Sequence, residues 1–160
     1  MQKMMAFLVV VMLVLFVPVI SFAKTVQASY MKTSIQINVD GRPVSLRHPV
    51  VLTNKGIVMF PARSVLVALR ARLSWDPKTN TLTAIKNHTT LRLKVGDNIA
   101  RWDNDNTMTQ QAPFIVNGNL MVQGQLLIDA FTASNEVDLQ NKIIHLSTVH
   151  SYSNSYNNTL

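Results

Sequence analysis

Apolar and polar residues alternate in the first part of the chain with the period of a half-buried β-strand. Residues 35–39 follow this period, and the Asp40-Gly41 pair after them is a strong hairpin signal. We therefore expect a hairpin whose second strand lies within residues 42–46. A second strand–turn–strand pattern follows, because residues 49–52 and 57–59 are largely apolar and flank a polar turn.

Helical spacing replaces this pattern at Pro61, a residue type suited to the first turn of a helix. At intervals of 3.6 residues, one apolar stripe carries Ala62, Val65, Leu66, Leu69 and Leu73. The stripe predicts a helix over residues 62–73 that packs on a sheet. The period then returns to two, which predicts a closing hairpin with strands at residues 73–75 and 81–86.

The second half of the chain repeats this order of patterns. Strand-like runs at residues 91–95, 113–116 and 120–122 precede a helical stripe over 125–133 and a closing hairpin at 137–139 and 143–146. We predict an α+β fold of two divergent ββαββ-like repeats, residues 35–86 and 91–147, with mainly antiparallel strands and one helix packed on each sheet. The pattern leaves open whether the two repeats form one continuous sheet.

The two ends of the chain differ from this region. Lys3, an apolar run and the small-residue signature at Ser21-Phe22-Ala23 predict a signal peptide over residues 1–23, with a second acceptable cut after Ala28. The alternative is an uncleaved membrane anchor, since the apolar run is just long enough to span a bilayer. Residues 24–34 are expected to be a polar linker, and the Ser/Asn-rich residues 148–160 a disordered tail. The expected location is therefore the extracellular side of the envelope, or the medium.

Cysteine content and charge narrow the class of protein. The chain has no Cys, which excludes a lipoprotein anchor, a disulfide framework and a thiolate metal site. Residues 24–101 hold 13 Lys and Arg against 3 Asp, whereas residues 102–160 hold 1 Lys against 5 acids. For an exported protein, this basic first half favours an anionic wall polymer or another envelope protein as partner and argues against nucleic acid. A basic face that serves only solubility is the alternative.

The candidate binding residues are cations of the first half and one aromatic side chain. The basic set consists of Arg63, Arg70, Arg72, Arg92, Lys94 and Arg101. Trp102 lies beside Arg101 and is the candidate aromatic surface residue.

Nothing in the sequence has the spacing of a catalytic or metal site. His48, His88, His145 and His150 are scattered, and no Gly-x-Ser-x-Gly motif occurs. Asp103 and Asp105 hint at a calcium loop, but the central glycine and the final glutamate of such a loop are missing. We therefore expect no enzymatic activity, no cofactor and no bound metal.

One run of residues resembles a known family. Phe60-Pro61-Ala62-Arg63, a helix with Leu69, Leu73-Ser74-Trp75-Asp76 and a strand over residues 81–85 resemble the stalk domain named after the N-terminal domain of copper amine oxidases. Members of that family usually have a glutamate where this chain has Val67 and a glycine where it has Arg70. In the second repeat, Gln123-Gly124-Gln125 replaces the proline, leucine and arginine of the pattern.

In the family pattern the arginine and the glutamate lie four residues apart on one helix face, where they can pair. Here Arg63 faces Val67 and Asp129 faces Gln125, so each helix lacks one partner, and a contact between Arg63 and Asp129 across the two helices is our hypothesis. The resemblance also implies that Trp75 packs in or near the core.

The resemblance implies a secreted, mostly Gram-positive envelope module without catalysis of its own. Copper is not implied, because in amine oxidases the metal belongs to a separate catalytic domain. Our expectation is therefore a stalk- or spacer-like module that binds anionic wall polymer through its basic first half. The alternative is a secreted effector or inhibitor that binds another protein through exposed strand edges or a Met-rich surface.

Overall fold

The computed structural model describes residues 29–148. Residues 1–28 and 149–160 lie outside this range. They include the expected signal peptide, both candidate cleavage sites, His150 and all of the expected tail except Thr148. The described strands are β1 Tyr30–Lys32, β2 Gln36–Val39, β3 Arg42–Pro43, β4 Val51–Thr53, β5 Val58–Pro61, β6 Arg72–Asp76, β7 Thr81–Lys86, β8 Thr89–Lys94, β9 Ile99–Trp102, β10 Asp105–Met108, β11 Phe114–Val116, β12 Asn119–Gln123, β13 Ser134–Asp138 and β14 Ile143–Ser147. The described helices are α1 Ala62–Ala68 and α2 Gly124–Phe131.

The strands form three sheets. A central sheet has the order β1-β4-β5-β12-β11, a five-stranded side sheet the order β10-β9-β8-β7-β6, and a four-stranded sheet the order β13-β14-β2-β3. Neighbouring strands are antiparallel except β14 and β2, which are parallel. The fold is thus α+β with mainly antiparallel strands, as the hydrophobic periodicity predicted.

The two halves of the chain interlock and do not form separate sheets. The closing hairpin of the first half, β6–β7, pairs with β8 and β9 of the second half. The closing hairpin of the second half, β13–β14, pairs with β2 of the first. The arrangement of two ββαββ units, each with its own sheet, is therefore not confirmed. Sharing strands lets both halves bury apolar faces in one core that neither half could complete alone.

Both helices pack on the central sheet, so the prediction of one helix on each sheet was wrong. Helix α1 contacts β12, β5 and β6, and α2 contacts β12, β5 and β8. Phe60 of β5 lies directly opposite Val122 of β12, and both side chains are buried between the helices and the sheets. The main core draws apolar residues from both helices and all three sheets. A smaller cluster on the central sheet contains Val51, Met59, Val116 and Met121.

Helix α1 is shorter than the apolar stripe predicted. It ends at Ala68 because Arg70 adopts φ 63°, and the Ala71 N–H then donates a hydrogen bond to Leu66 O (2.9 Å). Leu73 consequently belongs to β6 and not to the helix. Neither described helix has the length and apolar character needed to cross a membrane.

Three strands were not predicted. β1 lies within the stretch expected to be a linker and pairs with β4 of the central sheet. β9 and β10 form a hairpin around the turn at Asp103 and Asn104, where the sequence showed only a polar stretch. Their residues alternate too weakly in hydrophobicity to be recognised, since β10 carries one apolar side chain, Met108.

Candidate functional site

Four arginines line one surface groove between α1 and the segment that follows β2. The groove has a volume of about 730 Å³, and its cationic side chains are Arg42, Arg47, Arg63 and Arg70. All four residues are exposed. We call this feature the arginine groove. Its other lining groups are hydroxyls of Ser45 and Ser64 and aliphatic side chains, with Asp40 as the acid.

Local structure places these arginines around the groove. Arg42 lies on β3 and Arg63 in the first turn of α1, whereas Arg47 lies on the segment between β3 and β4. The Arg47 N–H donates a hydrogen bond to Ser64 Oγ (3.2 Å), which ties this segment to α1. The next residue, His48, is buried, and its Nδ1 lies 2.9 Å from Pro49 O. Arg47 is therefore held beside the helix by its neighbours.

The acid in the groove is already hydrogen-bonded. The Asp40 carboxylate accepts hydrogen bonds from the Thr148 N–H (2.8 Å) and from Thr148 Oγ1 (2.7 Å). These hydrogen bonds lower the pKa of Asp40, and the charges of Arg70 and Lys86 lower it further. Both carboxylate oxygens of Asp40 accept hydrogen bonds from Thr148, and four guanidinium groups face this one lining acid, so the lining of the groove carries a net positive charge.

Arg70 occupies a backbone conformation that favours glycine. Its φ of 63° places it in the left-handed region directly after α1. A residue with a Cβ atom in this region costs roughly 1–2 kcal/mol. The backbone conformation of Arg70 therefore lowers the stability of the fold, while its charged side chain lines the groove. Such strain is often found at functional positions.

Two further hollows share lining arginines with the groove. Arg70 also lines a hollow of about 430 Å³ that contains Arg72 and Lys86. Lys86 Nζ donates a hydrogen bond to Phe131 O at the end of α2 (2.9 Å), and burial lowers the pKa of this amine. Arg47 and Arg63 also line a hollow of about 350 Å³ that contains Trp75. Because each hollow shares arginines with the groove, we call the three concave regions together the cationic track.

The six predicted basic residues separate into two groups. Arg63 and Arg70 line the arginine groove, and Arg72 lies in the hollow next to it. Arg92, Lys94 and Arg101 are exposed on the outer face of the five-stranded side sheet, where Arg92 lies directly opposite Arg101. The alternation of strand side chains places Arg72 on this same face. The sequence therefore identified residues from two surfaces, which meet at Arg72.

Arg42 and Arg47 were missed as candidate residues. Both lie in the basic first half, but their segment showed no periodicity that would direct them towards the helix. The only local signal was the predicted hairpin after Asp40-Gly41, which returns Arg42 towards the start of the fold. Their approach to Arg63 depends on tertiary contacts such as the hydrogen bond from Arg47 to Ser64.

The two tryptophans differ in exposure in a way that the sequence did not indicate. Trp102 is half-buried and packs against the main core from the inner face of the side sheet. Trp75, on the edge strand β6, is 42% exposed and faces the hollow that adjoins Arg47 and Arg63. Trp75 is therefore the aromatic side chain that borders the cationic track.

The histidines and the acids Asp103, Asp105 and Asp129 do not line the arginine groove within the described residues. Within residues 29–148, no group of three or more His, Asp or Glu could hold a metal ion. Asp103 Oδ1 accepts a hydrogen bond from the Thr90 N–H (2.6 Å), and Asp105 lies in β10. Asp129 accepts a hydrogen bond from Gln125 Nε2 (2.6 Å) on its own helix, so the predicted contact with Arg63 is replaced by a local one.

A concavity larger than the arginine groove lies on another part of the surface. It measures about 990 Å³ and is bordered by β5, α2 and the β13–β14 hairpin. Its lining mixes apolar side chains with Lys32, Lys55 and Lys142. At its rim, Val137 and Leu139 are 52% and 83% exposed.

A family model described as the copper amine oxidase N-terminal domain matches residues 38–146. A search of curated proteins finds none that matches the chain.

Proposed function

This chain belongs to the copper amine oxidase N-terminal domain family, and from that premise we propose that it is a non-catalytic envelope module that binds anionic wall polymer through the arginine groove. The family is a non-catalytic domain, which is consistent with a binding module. The match spans all three sheets and both helices, so the assignment applies to the described fold as a whole.

The observation that supports the proposal most strongly is the convergence of four exposed arginines on one groove. Guanidinium groups bind carboxylates and phosphates through paired hydrogen bonds, and they are weakly hydrated. The one acid nearby is already hydrogen-bonded to Thr148. The cationic track suits a polymer better than a small anion, because the two hollows that share arginines with the groove add further cationic surface.

The start of the sequence supports an exported location. The segment at residues 1–23 has the layout of an export signal and lies outside the described residues. The proposal places the domain on the extracellular side of the envelope, where teichoic or acidic polysaccharide chains supply the anions.

Sedimentation of the purified full chain with purified Gram-positive cell walls tests this function. Arg47→Gln combined with Arg63→Gln should weaken binding about tenfold, equivalent to about 1.4 kcal/mol. The matched control combines Arg92→Gln with Arg101→Gln, which removes the same charge from the flat sheet face. We expect that control to change binding less than about twofold, because its residues do not converge on a concave site.

Salt dependence provides the second arm of this experiment. Binding to a polyanion should weaken steadily as ionic strength rises, because mobile ions screen exposed charges over about 10 Å at 0.1 M. Binding that is absent or indifferent to salt contradicts the proposal. Equal losses in both charge variants would assign binding to the overall charge and not to the groove.

A second candidate function, the binding of another protein, is favoured by the concavity of about 990 Å³. Val137 and Leu139 are exposed there beside apolar lining residues. That function predicts a stoichiometric complex in culture supernatant that Leu139→Ser disrupts while the arginine variants do not. The polymer function predicts the opposite response of the two sets of variants.

A further inference from the structure

The hollow beside Trp75 combines an aromatic surface with two cations. Trp75 lies on β6, Ile115 on β11 and Leu120 on β12, so that the edges of two sheets supply the apolar side of the hollow. Arg47 and Arg63 supply the charged side and also line the arginine groove. The volume of about 350 Å³ lies within the range of small-ligand sites.

Trp75 is more exposed than its apolar neighbours on the same face of the sheet. Leu82, which lies opposite Trp75 on β7, is buried, and Leu73, on the same face of β6, is half-buried. Trp75 itself remains 42% exposed. Leaving a large aromatic side chain in water forgoes the stabilisation that its burial provides. A flat apolar surface that borders a cationic groove is suited to a ligand with both an apolar face and a negative charge.

Asn119 adds a directional polar group to the same hollow. Its Nδ2 donates a hydrogen bond to Asn117 O (3.0 Å), which fixes the side chain at the start of β12. This leaves Oδ1 as an acceptor for a hydroxyl group. Aromatic surface, guanidinium groups and an amide oxygen together match the chemistry of a charged sugar.

We propose that this hollow is a subsite for one pyranose ring of an acidic polysaccharide. The apolar face of the ring stacks on Trp75, and its carboxylate or phosphate group is bound by Arg47 and Arg63. The inference rests on the proposed function and adds to it that the polymer is a polysaccharide rather than a chain of phosphates alone. The remaining residues of the arginine groove then bind the following acidic units.

The test compares polymers with and without sugar rings. The probes are polygalacturonate, polyphosphate at equal charge concentration and neutral dextran, added to the full chain. Trp75→Thr should bind polygalacturonate about tenfold more weakly, a loss of about 1.4 kcal/mol, and bind polyphosphate as the unmodified chain does. Trp75→Phe, which keeps an aromatic ring, should retain most of the affinity, and dextran should not bind.

Two controls separate stacking from a structural effect. Ile99→Thr removes an apolar side chain of the same exposure, 42%, from the outer face of the same sheet, and should leave binding unchanged. Tryptophan fluorescence provides a second measurement, because polygalacturonate should change the emission of the unmodified chain and not that of Trp75→Thr. The second tryptophan, Trp102, packs against the core and serves as the constant background.

The outcomes distinguish the subsite from the wider function. If Trp75→Thr binds polygalacturonate normally, or loses both polymers equally, the sugar subsite is wrong although the arginine groove can still bind polyanions. If the unmodified chain binds neither polygalacturonate nor polyphosphate, the proposed function itself fails.

Discussion

Thr148 donates two hydrogen bonds to the Asp40 carboxylate, one from its backbone N–H (2.8 Å) and one from its hydroxyl (2.7 Å). The two residues are separated by 108 positions in the chain. Their contact joins the end of β14 to the turn between β2 and β3, beside the only parallel strand pair that the described residues contain. The contact therefore reinforces the pairing of β2 with β14, two strands from opposite ends of the described chain.

Acid should weaken this contact. The pKa of Asp40 is held below its ordinary value of 3.8 by the hydrogen bonds from Thr148, so the contact stabilises the fold above that pH and is lost as pH falls through the lowered pKa. Asp40→Asn should reduce the free energy of unfolding at pH 7 by about 0.5–1 kcal/mol, a small value because the carboxylate is exposed. Urea unfolding at pH 7 and pH 3 measures both quantities.

Asp40→Asn should also reduce the loss of stability between these two pH values. Part of the acid dependence should remain, because local hydrogen bonds also lower the pKa values of Asp76 and Asp138. An Asp40→Asn variant whose stability falls with acid as steeply as that of the unmodified chain would show that the contact is not formed in solution.

Gly124 lies against the Phe60 ring at the centre of the molecule. A Cβ atom on Gly124 would lie 2.8 Å from both Cε1 and Cζ of Phe60, whose side chain is fully buried. Gly124→Ala should destabilise the protein by about 1–2 kcal/mol, because overpacking exceeds the gain in helix propensity. Denaturant unfolding measures the change. In combination with Phe60→Leu, the two changes should cost less than their sum, whereas additive effects would contradict the steric explanation.

Hydrophobic periodicity predicted most of the strands and both helices, but not how they pair. Alternation at residues 81–86 is visible in the sequence, since Leu82 and Ala84 are buried and the residues between and beside them, Thr81, Thr83 and Ile85, are not. The pairing of Ile37 with Ile144 is not, because a parallel partner far along the chain leaves no local signal. The end of α1 was hidden for a similar reason: the apolar stripe continues to Leu73, while the backbone turns at Arg70.

The candidate site was predictable in composition and not in shape. The excess of cations in the first half pointed to an anion-binding surface, and Arg63 and Arg70 were identified from their positions around the helix. Arg47 joins them through its hydrogen bond to Ser64, and the greater exposure of Trp75 follows from its place on an edge strand. Both are tertiary effects that one sequence does not encode in a local pattern.

Replacing Arg70 should separate stability from binding. Arg70→Gly relieves the left-handed backbone at φ 63°, so we expect the free energy of unfolding to rise by about 0.5–1 kcal/mol after allowing for the greater freedom of glycine in the unfolded chain. Binding to cell walls should weaken about threefold, since one of four groove cations is lost. Arg70→Lys is the control, because it keeps both the charge and the strain. Normal binding by the Arg70→Gly variant would show that the Arg70 side chain does not bind the polymer.

Ser64 tests whether the position of Arg47 matters as much as its charge. The Ser64 hydroxyl accepts the hydrogen bond that holds the Arg47 backbone beside α1, and its removal leaves every charge of the groove in place. Ser64→Ala should lower the free energy of unfolding by less than about 1 kcal/mol, because this is one partly exposed hydrogen bond. It should weaken wall binding about twofold to threefold, since the segment carrying Arg47 is freer and more of its entropy is lost on binding. Ser64→Thr keeps the hydroxyl and should restore binding, and Ser45→Ala removes a hydroxyl from the same groove without touching Arg47. Equal effects of Ser64→Ala and Ser45→Ala would mean that the hydroxyls contact the polymer directly, and no effect of either would leave the charges alone to account for binding.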